Sequence, residues 1–67
     1  MTIEEAIKKA LEDNGESLPA GDLATAAIPY LPNYSWNQIK SYIWRMVDER
    51  SLEWTTDRRI ALSLESN

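Results

Sequence analysis

The 67-residue chain has no cysteine, no histidine and no phenylalanine, and only two glycines and three prolines. Without cysteine there is no disulfide staple. Without cysteine or histidine the usual zinc-finger and zinc-ribbon ligand sets are excluded. The same absences remove the commonest general base and the best thiol nucleophile. The carboxylate pairs Glu4-Glu5, Glu12-Asp13 and Asp48-Glu49 are sequence neighbours, which point apart on a helix. Asp13-Asn14-Gly15-Glu16 lacks the ligand spacing of a calcium loop. The chain is therefore expected not to be an enzyme, and no metal, cofactor or small-molecule substrate is expected. Long apolar runs are missing too. The N-terminal segment mixes Glu and Lys into every turn, so it lacks the apolar core of a signal peptide, and no stretch approaches the roughly 20 residues of a membrane span. One small domain over residues 1–67 is expected, cytoplasmic and without a membrane partner.

What is present is a sequence that is 43% hydrophobic, with three Trp and three Tyr. A chain this short buries only about 60% of its unfolded surface, so most large apolar residues must share one core. Thr2 with Glu5 forms a capping-box pattern, and Ile3, Ala6, Ile7, Ala10 and Leu11 follow at helical spacing. Asn14-Gly15 supplies the stop, so the first helix spans about 3–13. Glu16-Ser17-Leu18 reads as a strand stub or connector. A second helix is predicted over Ala20–Ile28, started near Pro19, rich in alanine and closed by Pro29. Tyr30 and Leu31 in the following turn are expected to plug the core.

Ser35 with Gln38 is a second capping box. It opens a helix running to about Arg50, whose apolar face is Trp36, Ile39, Ile43, Met46, Val47 and the stem of Arg50. Leu52 and Trp54 then alternate with polar neighbours, and Trp54 is expected to pack inward with Leu52. Thr55-Thr56-Asp57-Arg58 reads as a turn, and Ile60, Leu62 and Leu64 resume the alternation. Residues 65–67 read as a frayed tail.

The order of these elements resembles the winged helix-turn-helix family over nearly the whole chain. The resemblance is carried by element order, apolar pattern and the stretch Val47-Asp48-Glu49-Arg50-Ser51-Leu52-Glu53-Trp54, where a charged helix end turns into a first wing strand. The family commonly has glycine where this chain has Ser51. The fold implied is α+β: a small winged helix-turn-helix of three helices followed by a two-stranded β-hairpin wing over 52–64. The third helix would then be the recognition helix, lying in the major groove.

With Ile43 facing the core, Asn37, Gln38, Ser41, Arg45 and Asp48 fall on the opposite side, and Lys40, Tyr42 and Trp44 fall on the flanks. Asn and Gln can read adenine, Arg can read guanine, and Ser or Lys can hold phosphate. The resemblance thus implies duplex-DNA contacts by Asn37, Gln38, Lys40, Ser41 and Arg45, with Arg58 and Arg59 reaching backbone or minor groove from the wing. A transcriptional regulator or accessory factor is the expected role. The plain alternatives are a solvated helix face and charges that blunt a strand edge.

The net charge of −4 runs against the basic footprint usual for nucleic-acid binding. It is unevenly spread. Lys8 and Lys9 face six carboxylates in residues 1–33, whereas Lys40, Arg45, Arg50, Arg58 and Arg59 outnumber Asp48, Glu49, Glu53 and Asp57. Duplex binding asks for Lys40, Arg45, Arg58 and Arg59 on one face, clear of Asp48 and Asp57. The competing expectation keeps the fold and changes the partner. A winged-helix protein-interaction module, of the kind phage or mobile elements encode to redirect a host protein, would use Tyr42 and Trp44 as contacts. A homodimer would raise the affinity of either kind.

Overall fold

The computed structural model describes residues 1–63. The expected third alternation at Leu64 and the tail at 65–67 lie outside the described residues. The elements run α1 (Ile3–Asp13), β1 (Ser17–Leu18), α2 (Ala20–Ala27), α3 (Trp36–Asp48), β2 (Leu52–Trp54) and β3 (Ile60–Leu62). The fold is α+β, with three helices and one three-stranded antiparallel sheet in the order β1-β3-β2. The β2–β3 hairpin expected from sequence is present, but the sheet has three strands and not two. Ser17 and Leu18 pair with Ala61 and Ile60, so the short connector becomes a third strand on the far side of β3.

Both capping boxes form. The Glu5 amide donates to the Thr2 hydroxyl at 3.1 Å and the Thr2 amide to the Glu5 carboxylate at 2.8 Å. Their counterparts are Gln38 to Ser35 at 3.2 Å and Ser35 to Gln38 at 2.8 Å. Each box satisfies two main-chain donors that a helix start otherwise leaves unpaired. The Ser35 box also sets where α3 begins, and hence which of its residues face outward.

The helix ends differ from expectation. α2 stops at Ala27, one residue early, and Ile28–Tyr30 tighten into a 3-10 turn that contains Pro29. α3 stops at Asp48, so Arg50 is not on its apolar face. Arg50 instead adopts a left-handed φ of +64°. The Ser51 amide donates to the Met46 carbonyl at 2.9 Å and the Arg50 amide to the Val47 carbonyl at 3.0 Å. This is a Schellman cap with arginine in the position glycine usually fills. α1 ends similarly, with Gly15 at φ +84° and the Glu16 amide donating to Leu11 at 2.8 Å.

The core lies between the helices and the inner face of the sheet. Ile7, Leu11, Leu23, Ile39, Ile43, Met46, Leu52 and Ile60 are its large, fully buried members. Ala10, Ala24 and Ala27 are buried too, small residues that let helices approach closely. Leu31 is buried as expected, and Tyr30 is half-buried with its hydroxyl donating to Asp13 at 2.6 Å. No helix among the described residues is long and apolar enough to cross a membrane.

Candidate functional site

Burial of Ile39, Ile43 and Met46 on one side of α3 turns Asn37, Ser41, Arg45 and Asp48 outward, all of them exposed. Asn37, Gln38, Ser41, Tyr42 and Arg45 line one shallow groove of about 370 Å³ along this helix. The groove is walled by Tyr42, which is half-buried and donates from its hydroxyl to Glu4 of α1 at 3.3 Å. Burial, then the Glu4 carboxylate, pushes the Tyr42 phenol above its ordinary range. Gln38 is exposed, but its Oε1 is committed to the Ser35 cap. Its amide nitrogen is what remains for an external contact.

The opposite flank of α3 carries Trp36, Lys40 and Trp44, one turn apart. The Trp36 indole is half-buried and donates to the Gly21 carbonyl at 3.3 Å and the Thr25 hydroxyl at 3.1 Å, tying α3 to α2. Lys40 lies with its ammonium 4.8 Å from the Trp36 ring centroid, a cation–π contact that holds the charge beside the helix start. Trp44 is 41% exposed and Trp54 47% exposed.

Trp54 therefore does not pack inward with Leu52. It pairs with the fully buried Ile60 but lies on the edge strand β2, where it stays half exposed. It meets Trp44 instead, with ring centroids 5.3 Å apart and planes inclined by 38°. This contact links α3 to the hairpin. Among the described residues neither indole N–H has a hydrogen-bond partner.

The hairpin tip is built by Thr55. Its amide donates to the Arg59 carbonyl at 2.8 Å, its carbonyl accepts from Arg58 at 3.1 Å, and its hydroxyl accepts from the Arg59 amide at 3.0 Å. The hydroxyl also donates to Asp57, which holds that carboxyl below its ordinary range. Arg58 occupies the left-handed region at φ +63°, the bulge position that follows a type I turn in three-residue hairpin loops.

The cations are not clear of acid. Arg45 lies 3.9 Å from Glu49, and Arg59 lies 3.5 Å from Asp57 while donating to the Ser17 carbonyl at 3.4 Å. These ion pairs are exposed, hence worth only about 0–1 kcal/mol each and exchangeable for an outside anion. Arg50 and Arg58 have no ion-pair partner among the described residues. The fold thus groups Asn37, Gln38, Ser41, Tyr42 and Arg45 around one groove, Trp44 with Trp54, and Arg58 with Arg59 at the tip.

Sequence reasoning did not assign Trp54 or Arg50 to a surface site. Trp54's position next to the Thr55 turn was the available signal, because a strand that ends in a hairpin turn pairs on one side with its neighbour and can be left as the sheet edge. Compared with protein-family models, curated proteins and solved structures, the chain matches none.

Proposed function

We propose that this chain is a small winged-helix DNA-binding protein, a regulator or accessory factor that reads duplex DNA with α3 and steadies it with the β2–β3 hairpin. The element order and the sheet order β1-β3-β2 support the winged-helix reading. The observation that carries the functional one is the outward row Asn37, Ser41 and Arg45 on a capped helix. Asn37 and Ser41 spend no side-chain hydrogen bond inside the protein among the described residues. Base-edge readers must be free in this way.

Lys40, Arg45, Arg58 and Arg59 offer at most four phosphate contacts, which gives a salt slope of about −3.6. Weak binding by one copy follows, and two copies on one site would raise it. The test is a tryptophan-fluorescence titration with mixed-sequence duplex between about 50 and about 200 mM salt. Affinity is expected to fall with that slope, and an Arg45→Ala plus Arg58→Ala variant to flatten it by about 1.8. Absence of binding at the low salt would sink the proposal. A second reading, a protein-interaction module, draws support from the exposed Trp44–Trp54 pair, because Trp is enriched among interface anchors. It would take over if duplex binding failed.

A further inference from the structure

We infer that the Tyr42 ring is a specificity-determining contact of the α3 groove, placed to pack against the C5-methyl group of a pyrimidine, thymine before 5-methylcytosine, in the DNA major groove. This rests on the duplex reading above and names what that reading selects for.

The groove along α3 has one aromatic ring among polar side chains: Tyr42 beside Asn37, Gln38, Ser41 and Arg45. Tyr42 lies one helical turn after Gln38 and one before Arg45, so its ring flanks the outward row Asn37, Ser41 and Arg45. The ring is held from two sides. Its inner part packs against the buried core, and its hydroxyl donates to Glu4 of α1 at 3.3 Å. Burial and the Glu4 carboxylate push the phenol up, so it remains a donor through neutral pH and keeps that bond. A ring fixed in this way presents an apolar wall with little ordering cost on binding. Tyr30 is tied to Asp13 at 2.6 Å in the same manner, but of the two it is Tyr42 that lines the groove of the outward row.

A groove of this kind fits a surface that is mostly polar with an isolated apolar group. The major groove is such a surface: base edges present donors and acceptors, and the C5-methyl of thymine is their apolar feature. Asn37, Ser41, Arg45 and the Gln38 amide nitrogen can take the polar groups, and the ring takes the methyl. The core of a protein–protein interface has the opposite balance, apolar and depleted of charge. Thymine comes before 5-methylcytosine because adenine, the base that Asn37 can read, brings a thymine methyl with it in every A·T pair.

The experiment starts from a duplex enriched out of a randomised pool by the unaltered protein at about 50 mM salt. Each thymine is replaced in turn by uracil, which removes only the methyl, and each cytosine by 5-methylcytosine, which adds it. At one thymine the loss is expected to weaken binding about 4-fold, the worth of one buried methyl. Tyr42→Ala should bring the thymine and uracil probes to equal affinity, and Tyr42→Phe should keep most of the difference. A 4-fold gain at one 5-methylcytosine, with no effect of any uracil, would assign the methyl to that base instead. The contact is also read without altering the protein: 5-iodouracil at the sensitive position, irradiated in the near ultraviolet, should crosslink to Tyr42. No methyl effect at any pyrimidine, a methyl effect that survives Tyr42→Ala, or no crosslink at Tyr42 overturns the inference and leaves the duplex reading standing. Failure to enrich or bind any duplex at that salt overturns both.

Discussion

Replacing Arg50 with glycine should stabilise this domain, although it removes a charge and a long side chain. Arg50 sits at φ +64° in the Schellman cap of α3. A residue with a Cβ gives up about 1–2 kcal/mol in that conformation, because the Cβ crowds the following carbonyl oxygen. Glycine escapes the clash but loses about 0.5–1 kcal/mol through the greater freedom of its unfolded chain. Arg50 is exposed and has no ion-pair partner among the described residues, so little else changes sign. The net gain is about 0.5–1 kcal/mol. In a domain of this size it raises the melting temperature by roughly 2–8 °C. Arg50→Ala is the control, since it removes the same side chain and keeps the Cβ; it should give no comparable gain. Urea unfolding followed by tryptophan fluorescence and by circular dichroism measures both. If Arg50→Gly were no more stable than Arg50→Ala, the left-handed cap would carry no strain and the reasoning would fail.

Ile43, fully buried at the centre of α3, should lose about 2–5 kcal/mol on truncation to alanine. Against a total of roughly 3–10 kcal/mol for a chain of this length, much of the helical circular dichroism should vanish at 37 °C; an unchanged melting curve would contradict the packing described. Ser35→Ala should cost about 1 kcal/mol by removing the α3 cap, and Ser35→Gly only a few tenths, a difference read by the same unfolding curves. Main-chain and hydroxyl hydrogen bonds from Thr2 hold the Glu5 carboxyl below its ordinary 4.5. Its contribution is therefore complete above that value and is lost as pH falls through the lower folded value. Glu5→Gln should make the melting temperature less sensitive to acid between about pH 5 and pH 3; an identical pH profile would show that the cap has no ionic component.

Local signals were the legible ones. Thr2 with Glu5 and Ser35 with Gln38 announce their helix starts within four residues, and the apolar spacing of Ile39, Ile43 and Met46 announces the buried face of α3. The C-terminal end of α3 was not legible, because the left-handed residue there is arginine and nothing in the local composition marks it. The pairing of Ser17 and Leu18 with β3 was hidden for another reason. Two residues have no periodicity, and their partners lie near the other end of the chain. Trp54 was misplaced because alternation tells which side of a strand a residue occupies, but not whether that strand is at the edge of the sheet, where the partner Ile60 is buried and Trp54 is not. For the candidate site, helical spacing put Asn37, Ser41 and Arg45 on the outward face, but the sharing of Arg45 with Glu49 and of Gln38 with the cap depends on side-chain conformations that spacing does not specify.

The pairing of Ser17 with Ala61 and Leu18 with Ile60 also has a kinetic side. It closes a loop that contains α2, α3 and the whole of β2, so its entropic cost must be met before the two-residue strand returns anything. The helices, whose contacts are nearer in sequence, are expected to assemble first, with the sheet completed last. In the native state the order reverses: the β1–β3 seam is the thinnest part of the sheet and the natural place for it to part. When it opens, the hairpin stays joined to α3 by the chain and by the Trp44–Trp54 contact, while β1 stays with α1, whose buried Ile7 and Leu11 keep it on the other helices. Exchange of the main-chain amides at this seam would then report the hairpin parting from β1 while the three helices stay packed.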